Sequence, residues 1–224
     1  MTKYAAIFDM DGTLVDNNPY HFKAWKELFE HYNRVEVTLD LFNEKISGVP
    51  GMVTMRNFFG DDYDEEQMKA MFQEKTVRYR NIYQPNMAPI NGLERLLQEL
   101  KNAGVKLAVA SSATTSNIDF VLNNLSMKSM FDTIVDGPRV SKPKPNPQIF
   151  LKAADDLGVK PEHCVVFEDS LSGVKAANAA GMKVIGITTS HTADQLHPVD
   201  MVINDYAEVT EQQLAALFEK EKHE

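Results

Sequence analysis

The chain has 224 residues, of which 43% are hydrophobic and 25% are charged. That length accommodates one large domain or two modest ones with a substantial core, and the composition is that of an ordinary globular protein. The formal net charge of −9 and the pI near 5.2 argue against a surface for nucleic acid or anionic membrane. An anionic substrate would therefore need a local cation, from a lysine or a bound metal.

The single cysteine and the apolar runs indicate the compartment. Cys164 cannot form an internal disulfide and lies in an apolar run, which favours a buried structural role and a reducing environment. No apolar run approaches membrane-spanning length, and the sequence shows no signal-peptide pattern before its first predicted strand. We expect a cytoplasmic protein, with a monomer as the simplest state.

The chain opens with a short apolar run, Tyr4 to Phe8, that is typical of a buried strand. Asp9 and Asp11 follow it. If the strand geometry persists to Asp11, side-chain alternation places both carboxylates on one side. Such a pair is costly unless a cation lies between the two groups, and hard divalent metals prefer oxygen ligands. Because an isolated Asp-x-Asp is more often an acidic turn, its meaning depends on the rest of the chain.

Residues 17–86 have the apolar spacing of helices and contain no convincing strand. The predicted helices cover 19–31, about 41–46, 52–59 and 64–83. Pro85, Pro89 and the pair Asn91-Gly92 mark the end of this segment.

Beyond that boundary, helices and strands alternate. The predicted strands are 106–110, 132–135, 164–167, 183–187 and 201–203, and the predicted helices are 93–102, 117–125, 147–157, 173–180 and 209–218. This alternation predicts a parallel sheet covered on both faces, which the first strand joins if segment 17–86 is an insertion. We therefore predict an α/β fold: a doubly wound, Rossmann-like core of residues 1–16 and 87–224 with an inserted all-helical cap at 17–86.

Polar side chains gather where ligands bind in open parallel sheets, beyond the carboxyl ends of the strands. They are Asp9 and Asp11 after the first strand, Ser111 and Ser112 after the second, Lys144 in a proline-rich turn, and Glu168 and Asp169 after the fourth. Singly, each has an ordinary explanation as a helix cap, a solvated lysine or a helix N-terminal acid. Together they favour a common site.

The groups of this set suit one chemistry, phosphoryl transfer. Three or four oxygen ligands suit Mg²⁺, which keeps waters and shares a substrate phosphate. One carboxylate can attack phosphorus to form an aspartyl-phosphate, and a second can protonate the leaving oxygen and later activate water. Metal, lysine and hydroxyl would stabilise the transferring group. A helical lid would exclude water and select the substrate.

Four motifs make the chain resemble the haloacid dehalogenase superfamily. They are DMDGT at 9–13, a serine at 111 after an apolar strand, KPNPQIF at 144–150 and FEDS at 167–170. The helical insert resembles that of the beta-phosphoglucomutase-like branch. The resemblance implies that Asp9 is the nucleophile, that Asp11 is the general acid/base, and that Ser111 and Lys144 bind the phosphate.

The same resemblance implies the rest of the site. Magnesium would be held by Asp9, the main-chain carbonyl of Asp11, and Asp169, with Glu168 close behind. The further residues implied at the substrate are Ser112, Ala113, His21, Ser47 and Gly48. We prefer Lys144 to Lys142 because only the register of Lys144 gives Lys-Pro-x-Pro followed by Phe150.

The resemblance also narrows the reaction. Superfamily members that cleave carbon–halogen bonds or phosphonates generally lack an acid at the place of Asp11, so the implied substrate is a phosphate ester. Beta-phosphoglucomutases carry a lysine where Ser47 stands, an arginine where Gly51 aligns and a lysine near Thr114. Without these cations a second phosphate is hard to hold. This favours a phosphatase of a small phosphorylated metabolite, a sugar or sugar-alcohol phosphate.

Two other hypotheses about the function stay open. Arg56 or Lys75 could replace the missing cations, which would allow a beta-phosphoglucomutase. A phospho-acceptor receiver module also combines acids, a hydroxyl and a lysine, but the long helical insert and the pair of Asp9 and Asp11 speak against it.

Overall fold

The computed structural model describes residues 4–219; residues 1–3 and 220–224, which fall in the predicted core domain, lie outside it. The chain divides into two compact units. One unit consists of the stretch that ends at Asp16 together with the stretch that begins at Ala88. The other is the intervening segment, Asn17–Met87.

The first unit is built on a six-stranded parallel sheet. Its strands are β1 (Ala5–Phe8), β2 (Lys106–Ala110), β3 (Thr133–Val135), β4 (Cys164–Glu168), β5 (Lys183–Ile187) and β6 (Met201–Ile203). Their spatial order is β3-β2-β1-β4-β5-β6, and every neighbouring pair is parallel. The strand that comes first in the chain is therefore central, with Ala5 beside both Lys106 and Cys164. The carboxyl ends of β1, β2 and β4 thus lie side by side.

The second unit contains only helices: α1 (Asn18–His31), α2 (Leu39–Lys45), α3 (Gly51–Phe59) and α4 (Glu65–Tyr83). Its apolar residues form one cluster, rich in aromatic side chains, that includes Trp25, Phe29 and Phe59. The ring of Phe29 packs edge-on against Phe59, with 5.0 Å between centroids. Helix α4 begins with a reciprocal cap in which Asp64 and Gln67 each satisfy the other's backbone N–H. The prediction of an all-helical insertion is confirmed.

The helices of the sheet-containing unit are α5 (Leu93–Asn102), α6 (Thr115–Asn124), α7 (Gln148–Leu157), α8 (Leu171–Ala179), α9 (Ala193–Leu196) and α10 (Glu211–Ala216). Side chains of β1 alternate between two apolar layers. Ala5 and Ile7 share one buried cluster with residues of α7 and α8. Phe8 points to the opposite layer, where its ring stacks on Phe167 with 4.6 Å between centroids. The predicted doubly wound α/β core is confirmed.

Cys164 has the buried structural position that its apolar surroundings in the sequence favour. Cys164 is fully buried at the start of β4, and burial raises the pKa of its thiol to about 12, so it stays a neutral core residue. Within residues 4–219, no helix combines the length and hydropathy needed to cross a membrane.

Thr54, in α3, gives a stability prediction. Its side chain is fully buried, and Thr54 Oγ1 has no hydrogen-bond partner among the described residues. Because an unpaired buried hydroxyl costs free energy, Thr54→Val is expected to raise the free energy of unfolding by about 1 kcal/mol. Urea unfolding followed by the fluorescence of Trp25, the only tryptophan, which lies in the same cluster, measures the change.

Thr76 provides the matched control for that substitution. It is also buried in the helical unit, but its hydroxyl donates to the carbonyl of Phe72 at 2.9 Å. Thr76→Val is therefore expected to lower stability by about 1 kcal/mol. Equal destabilisation by both substitutions would contradict the assignment of Thr54 as an unpaired group.

Candidate active site

The two aspartates after β1 lie on a turn. The strand ends at Phe8, although the N–H of Asp9 still donates to the carbonyl of Phe167 in β4 at 3.1 Å. The chain then folds back on itself, because the carbonyl of Met10 accepts the N–H groups of residues 13, 14 and 15 at 2.9 to 3.3 Å. The strand therefore ends before Asp11, and the condition on which the alternation argument rested is not met. The turn keeps the carboxylates near each other, and the charge of Asp11 contributes to raising the pKa of Asp9, after the larger effect of burial.

Lys144 connects the ends of three strands. Its Nζ atom donates to Asp9 Oδ1 at 2.6 Å, to Glu168 Oε1 at 2.5 Å and to the main-chain carbonyl of Ala110 at 3.3 Å. The same atom lies 4.7 Å from the centre of the Phe150 ring, a cation–π distance. Only 3% of the Lys144 side chain is exposed. A buried ammonium group is thus held beside the predicted nucleophile.

The charge state of Lys144 follows from its neighbours. Burial alone would lower the pKa of its amino group, but the carboxylates of Asp9 and Glu168 outweigh burial and raise that pKa above its ordinary value. Lys144 is therefore a permanent cation here. Lys142, the other lysine considered from the sequence, is exposed, and its N–H donates to Gln148 Oε1 at 2.9 Å.

Glu168 is held through both carboxylate oxygens. Oε1 accepts from Lys144, and Oε2 accepts from the N–H and the hydroxyl of Ser170, both at 2.9 Å. A Cβ atom on Gly173 would lie 1.8 Å from Glu168 Oε1, so the packing requires glycine at that position. In this arrangement Glu168 is a counter-ion of Lys144, and its role as a metal ligand stays a prediction.

Asp169 is buried at the end of β4 and is contacted from two loops. Thr13 Oγ1 donates to Oδ1 at 3.3 Å, and the hydroxyl of Ser190 donates to Oδ2. His191 Nδ1 donates to the main-chain carbonyl of Asp169 at 3.0 Å. Burial raises the pKa of Asp169 well above its usual value, and the charges of Glu168 and Asp9 add to that effect. Neither Ser190 nor His191 was predicted as a site residue from the sequence.

Ser111 to Ala113 form the loop that follows β2. Ser111 is buried, its N–H donates to the carbonyl of Val135 at 3.0 Å, and its Oγ accepts the N–H of Ala113 at 3.1 Å. Ser112 and Ala113 are half-buried. Since Val109 pairs with Phe8, this loop continues from the same sheet edge as Asp9. The structure therefore brings all the predicted core-site residues to that edge.

The predicted cap residues lie in the helical unit. His21 is half-buried on α1, where its ring stacks on Tyr79 at 3.9 Å and its Nδ1 atom lies 2.8 Å from Lys75 Nζ. Ser47 and Gly48 lie between α2 and α3, with Gly48 in the left-handed backbone region at φ 72°. A role for these residues at the substrate stays a prediction.

The donor set around Asp9 fits a hard divalent cation. Asp9 and Asp169 are buried carboxylates, and the charge of Asp9 contributes to raising the pKa of Asp169, after the larger effects of burial and of Glu168. A cation between them would relieve that repulsion, and oxygen donors are those Mg²⁺ prefers. In the part of the chain that is described, no group of three or more His, Cys, Asp or Glu side chains could hold a metal. Main-chain carbonyl, water and phosphate oxygens would therefore complete the coordination.

The structure places acidic groups at the ends of two strands with a buried lysine between them, where open parallel sheets bind ligands. These groups suit phosphoryl transfer. The family model for the haloacid dehalogenase-like hydrolases matches residues 6–187. The chain belongs to this family, in its beta-phosphoglucomutase-like branch. It is an enzyme of the phosphoric monoester hydrolase type, in a branch that also contains mutases.

Individual relatives include both types of enzyme. The chain is 36% identical over 191 residues to the phosphorylated carbohydrates phosphatase of Thermotoga maritima, a match that covers 83% of this chain and 86% of the relative. It is 33% identical over 192 residues to the beta-phosphoglucomutase of Bacillus subtilis, covering 82% of each. The crystal structure of beta-phosphoglucomutase from Clostridium difficile superposes with a TM-score of 0.87, at 28% identity and 99% coverage of both chains.

Proposed function

We propose that this protein is a Mg²⁺-dependent phosphatase of a small phosphorylated metabolite, a sugar or sugar-alcohol phosphate, that acts through an aspartyl-phosphate. One observation carries the proposal: the Lys144 amino group is held between Asp9 and Glu168, 2.6 Å and 2.5 Å from their oxygens. This contact assembles a buried carboxylate and a cation at the edge of the sheet where Asp169 and Ser111 also lie.

Each of these residues has a separate role in the proposed reaction. A carboxylate oxygen of Asp9 attacks phosphorus, and the bond from phosphorus to the ester oxygen breaks as Asp11 gives that oxygen a proton. Asp11 then takes a proton from water, which attacks phosphorus and releases phosphate and free Asp9. Lys144 and Ser111 donate to the oxygens of the transferring group throughout. Mg²⁺ bound by Asp9, the Asp11 carbonyl and Asp169 would supply further charge stabilisation.

Two considerations support a phosphatase over a mutase. The Thermotoga maritima relative is named as a phosphatase of phosphorylated carbohydrates. In addition, Ser47, Gly51 and Thr114 stand where the mutases are expected to carry cations for a second phosphate. A mutase must retain its bisphosphate while that intermediate reorients, whereas a phosphatase needs only water.

A mutase is the second candidate, and Lys75 is the observation that favours it. This lysine is only 3% exposed and lies 4.9 Å from the centre of the Trp25 ring and 2.8 Å from His21 Nδ1. A buried cation in the cap could hold a second phosphate. The other cation considered, Arg56, is exposed and pairs with Glu65 at 3.4 Å.

An assay of both products separates the two candidates. The protein is incubated with Mg²⁺, beta-glucose 1-phosphate and a hexose bisphosphate activator, and glucose 6-phosphate and inorganic phosphate are measured together. A panel of sugar and polyol phosphates is tested in parallel for phosphate release. We expect phosphate as the product and no isomerisation, because water is the acceptor. Formation of glucose 6-phosphate faster than phosphate would contradict the proposal and establish the mutase.

A further inference from the structure

The loop after β5, residues 188–192, contacts Gly12 and Asp169 at the site, but none of its residues belongs to the predicted catalytic set. Each of these residues has a defined hydrogen bond. Thr188 Oγ1 donates to Asn204 Oδ1 at 2.7 Å, and the hydroxyl of Thr189 donates to the main-chain carbonyl of Gly12. Thr192 begins α9 with a reciprocal cap to Gln195, at 3.0 Å from its N–H. The loop is thus fixed at both ends.

The middle of this loop holds Asp169. Ser190 donates its hydroxyl to Asp169 Oδ2, while Thr13 Oγ1 donates to Oδ1 from the opposite side at 3.3 Å. His191 Nδ1 donates to the main-chain carbonyl of the same aspartate at 3.0 Å. The carboxylate is therefore restrained in rotation, and the backbone that carries it is restrained separately.

We propose that Ser190 is a positioning residue for Mg²⁺: it orients the Asp169 carboxylate so that the remaining lone pairs face the cation. His191 fixes the backbone beneath that carboxylate, and Thr189 fixes the turn that carries Asp11. This inference rests on the proposed Mg²⁺-dependent function. In this proposal Ser190 acts on the cation only through the Asp169 carboxylate.

Ser190 is expected to affect Mg²⁺ affinity because orienting the ligands of a small cation costs free energy. Mg²⁺ demands near-ideal octahedral geometry at short distances, so a carboxylate free to rotate binds it less well. Groups that hydrogen-bond to metal ligands commonly change metal affinity by about 10- to 100-fold when they are removed. Ser190→Ala removes one donor from Oδ2 and leaves the Thr13 contact intact.

The test compares Ser190→Ala with Thr188→Ala. Both substitutions remove one hydroxyl from the same loop, but Thr188 contacts Asn204 and not Asp169. Mg²⁺ alone is titrated into each purified protein by calorimetry, and phosphate release from p-nitrophenyl phosphate is measured over a range of Mg²⁺ concentrations. Ser190→Thr tests rescue, because it restores a hydroxyl.

We expect Ser190→Ala to bind Mg²⁺ about 10- to 100-fold more weakly than wild type. Its turnover at saturating Mg²⁺ should stay within about threefold, and the threonine variant should recover most of the affinity, as expected of a residue that acts through the ligand. Equal Mg²⁺ affinity in Ser190→Ala and Thr188→Ala would overturn the inference, as would a wild-type protein that binds no Mg²⁺. Weakened Mg²⁺ binding in a protein that hydrolyses no phosphate ester would support Ser190 and refute the proposed phosphatase.

Discussion

Asp9→Asn is expected to abolish phosphate release while leaving the protein folded. The amide has nearly the shape of the carboxylate but lacks the oxyanion that attacks phosphorus, so turnover should fall by roughly 10⁴-fold or more. The fold should persist because Lys144 keeps its contact with Glu168 Oε1 at 2.5 Å. The loss is measured as the rate of phosphate release at saturating Mg²⁺, with near-ultraviolet circular dichroism to check folding.

Asp16→Asn is the matched control for that substitution. Asp16 is an exposed carboxylate on the same segment, seven positions further along the chain, and it belongs to none of the contacts around Lys144. Its removal should leave the rate within about twofold, because Asp16 takes no part in those contacts. Substantial activity in Asp9→Asn would mean that another group attacks phosphorus.

Lys144→Met is expected to reduce both activity and stability. It removes the cation but keeps most of the apolar stem, so the effect isolates the ammonium group. Loss of a buried donor to the transferring phosphoryl group should lower kcat by about 10²- to 10³-fold. Breaking a buried pair by removing one partner leaves Asp9 and Glu168 as buried like charges, which should lower the free energy of unfolding by about 3 kcal/mol.

The stability loss in Lys144→Met should depend on pH in a defined direction. With the cation gone, the pKa of the Asp9 carboxyl rises further above its unfolded value. At this group the folded state then binds more protons than the unfolded state, so the contribution of Asp9 to stability is present at acidic pH and is lost as pH rises through the folded pKa. Urea unfolding at pH 5.5 and pH 8, without added metal, should show the larger deficit at pH 8.

Lys142→Met serves as the comparison, since Lys142 is the exposed lysine of the same loop. It should change stability by less than about 0.5 kcal/mol. If the two methionine variants lose the same activity and stability, Lys144 does not have the role proposed for it.

The strands of the sheet could be predicted from the sequence because each one is a short apolar run of neighbouring residues. The apolar runs 106–110, 183–187 and 201–203 coincide with β2, β5 and β6. The choice of Lys144 also came from a local register, since Phe150 lies three residues after the second proline, and in the structure that ring lies beside Nζ. The spacing of this motif thus predicts the contact between Lys144 and Phe150.

Features that depend on distant partners could not be predicted in this way. Helix α9 has only four residues, and its one sequence signal is the Thr-x-x-Gln cap at 192–195. Ser190 and Asp169 are separated by 21 positions, and only the adjacency of β4 and β5 brings them together. The turn after β1 could not be predicted for a related reason, because the backbone bonds to the Met10 carbonyl end the strand geometry on which the alternation argument was conditional.

Locating the phosphoryl group shows whether Asp9 is the phosphorylated nucleophile. The Asp11→Asn enzyme, in which hydrolysis of the intermediate is expected to stall, is mixed with substrate and Mg²⁺, quenched in acid and digested for mass spectrometry. We expect one phosphoryl group on the peptide that contains Asp9, and none in Asp9→Asn. Phosphate on any other residue, or continued turnover with no labelled peptide, would contradict it.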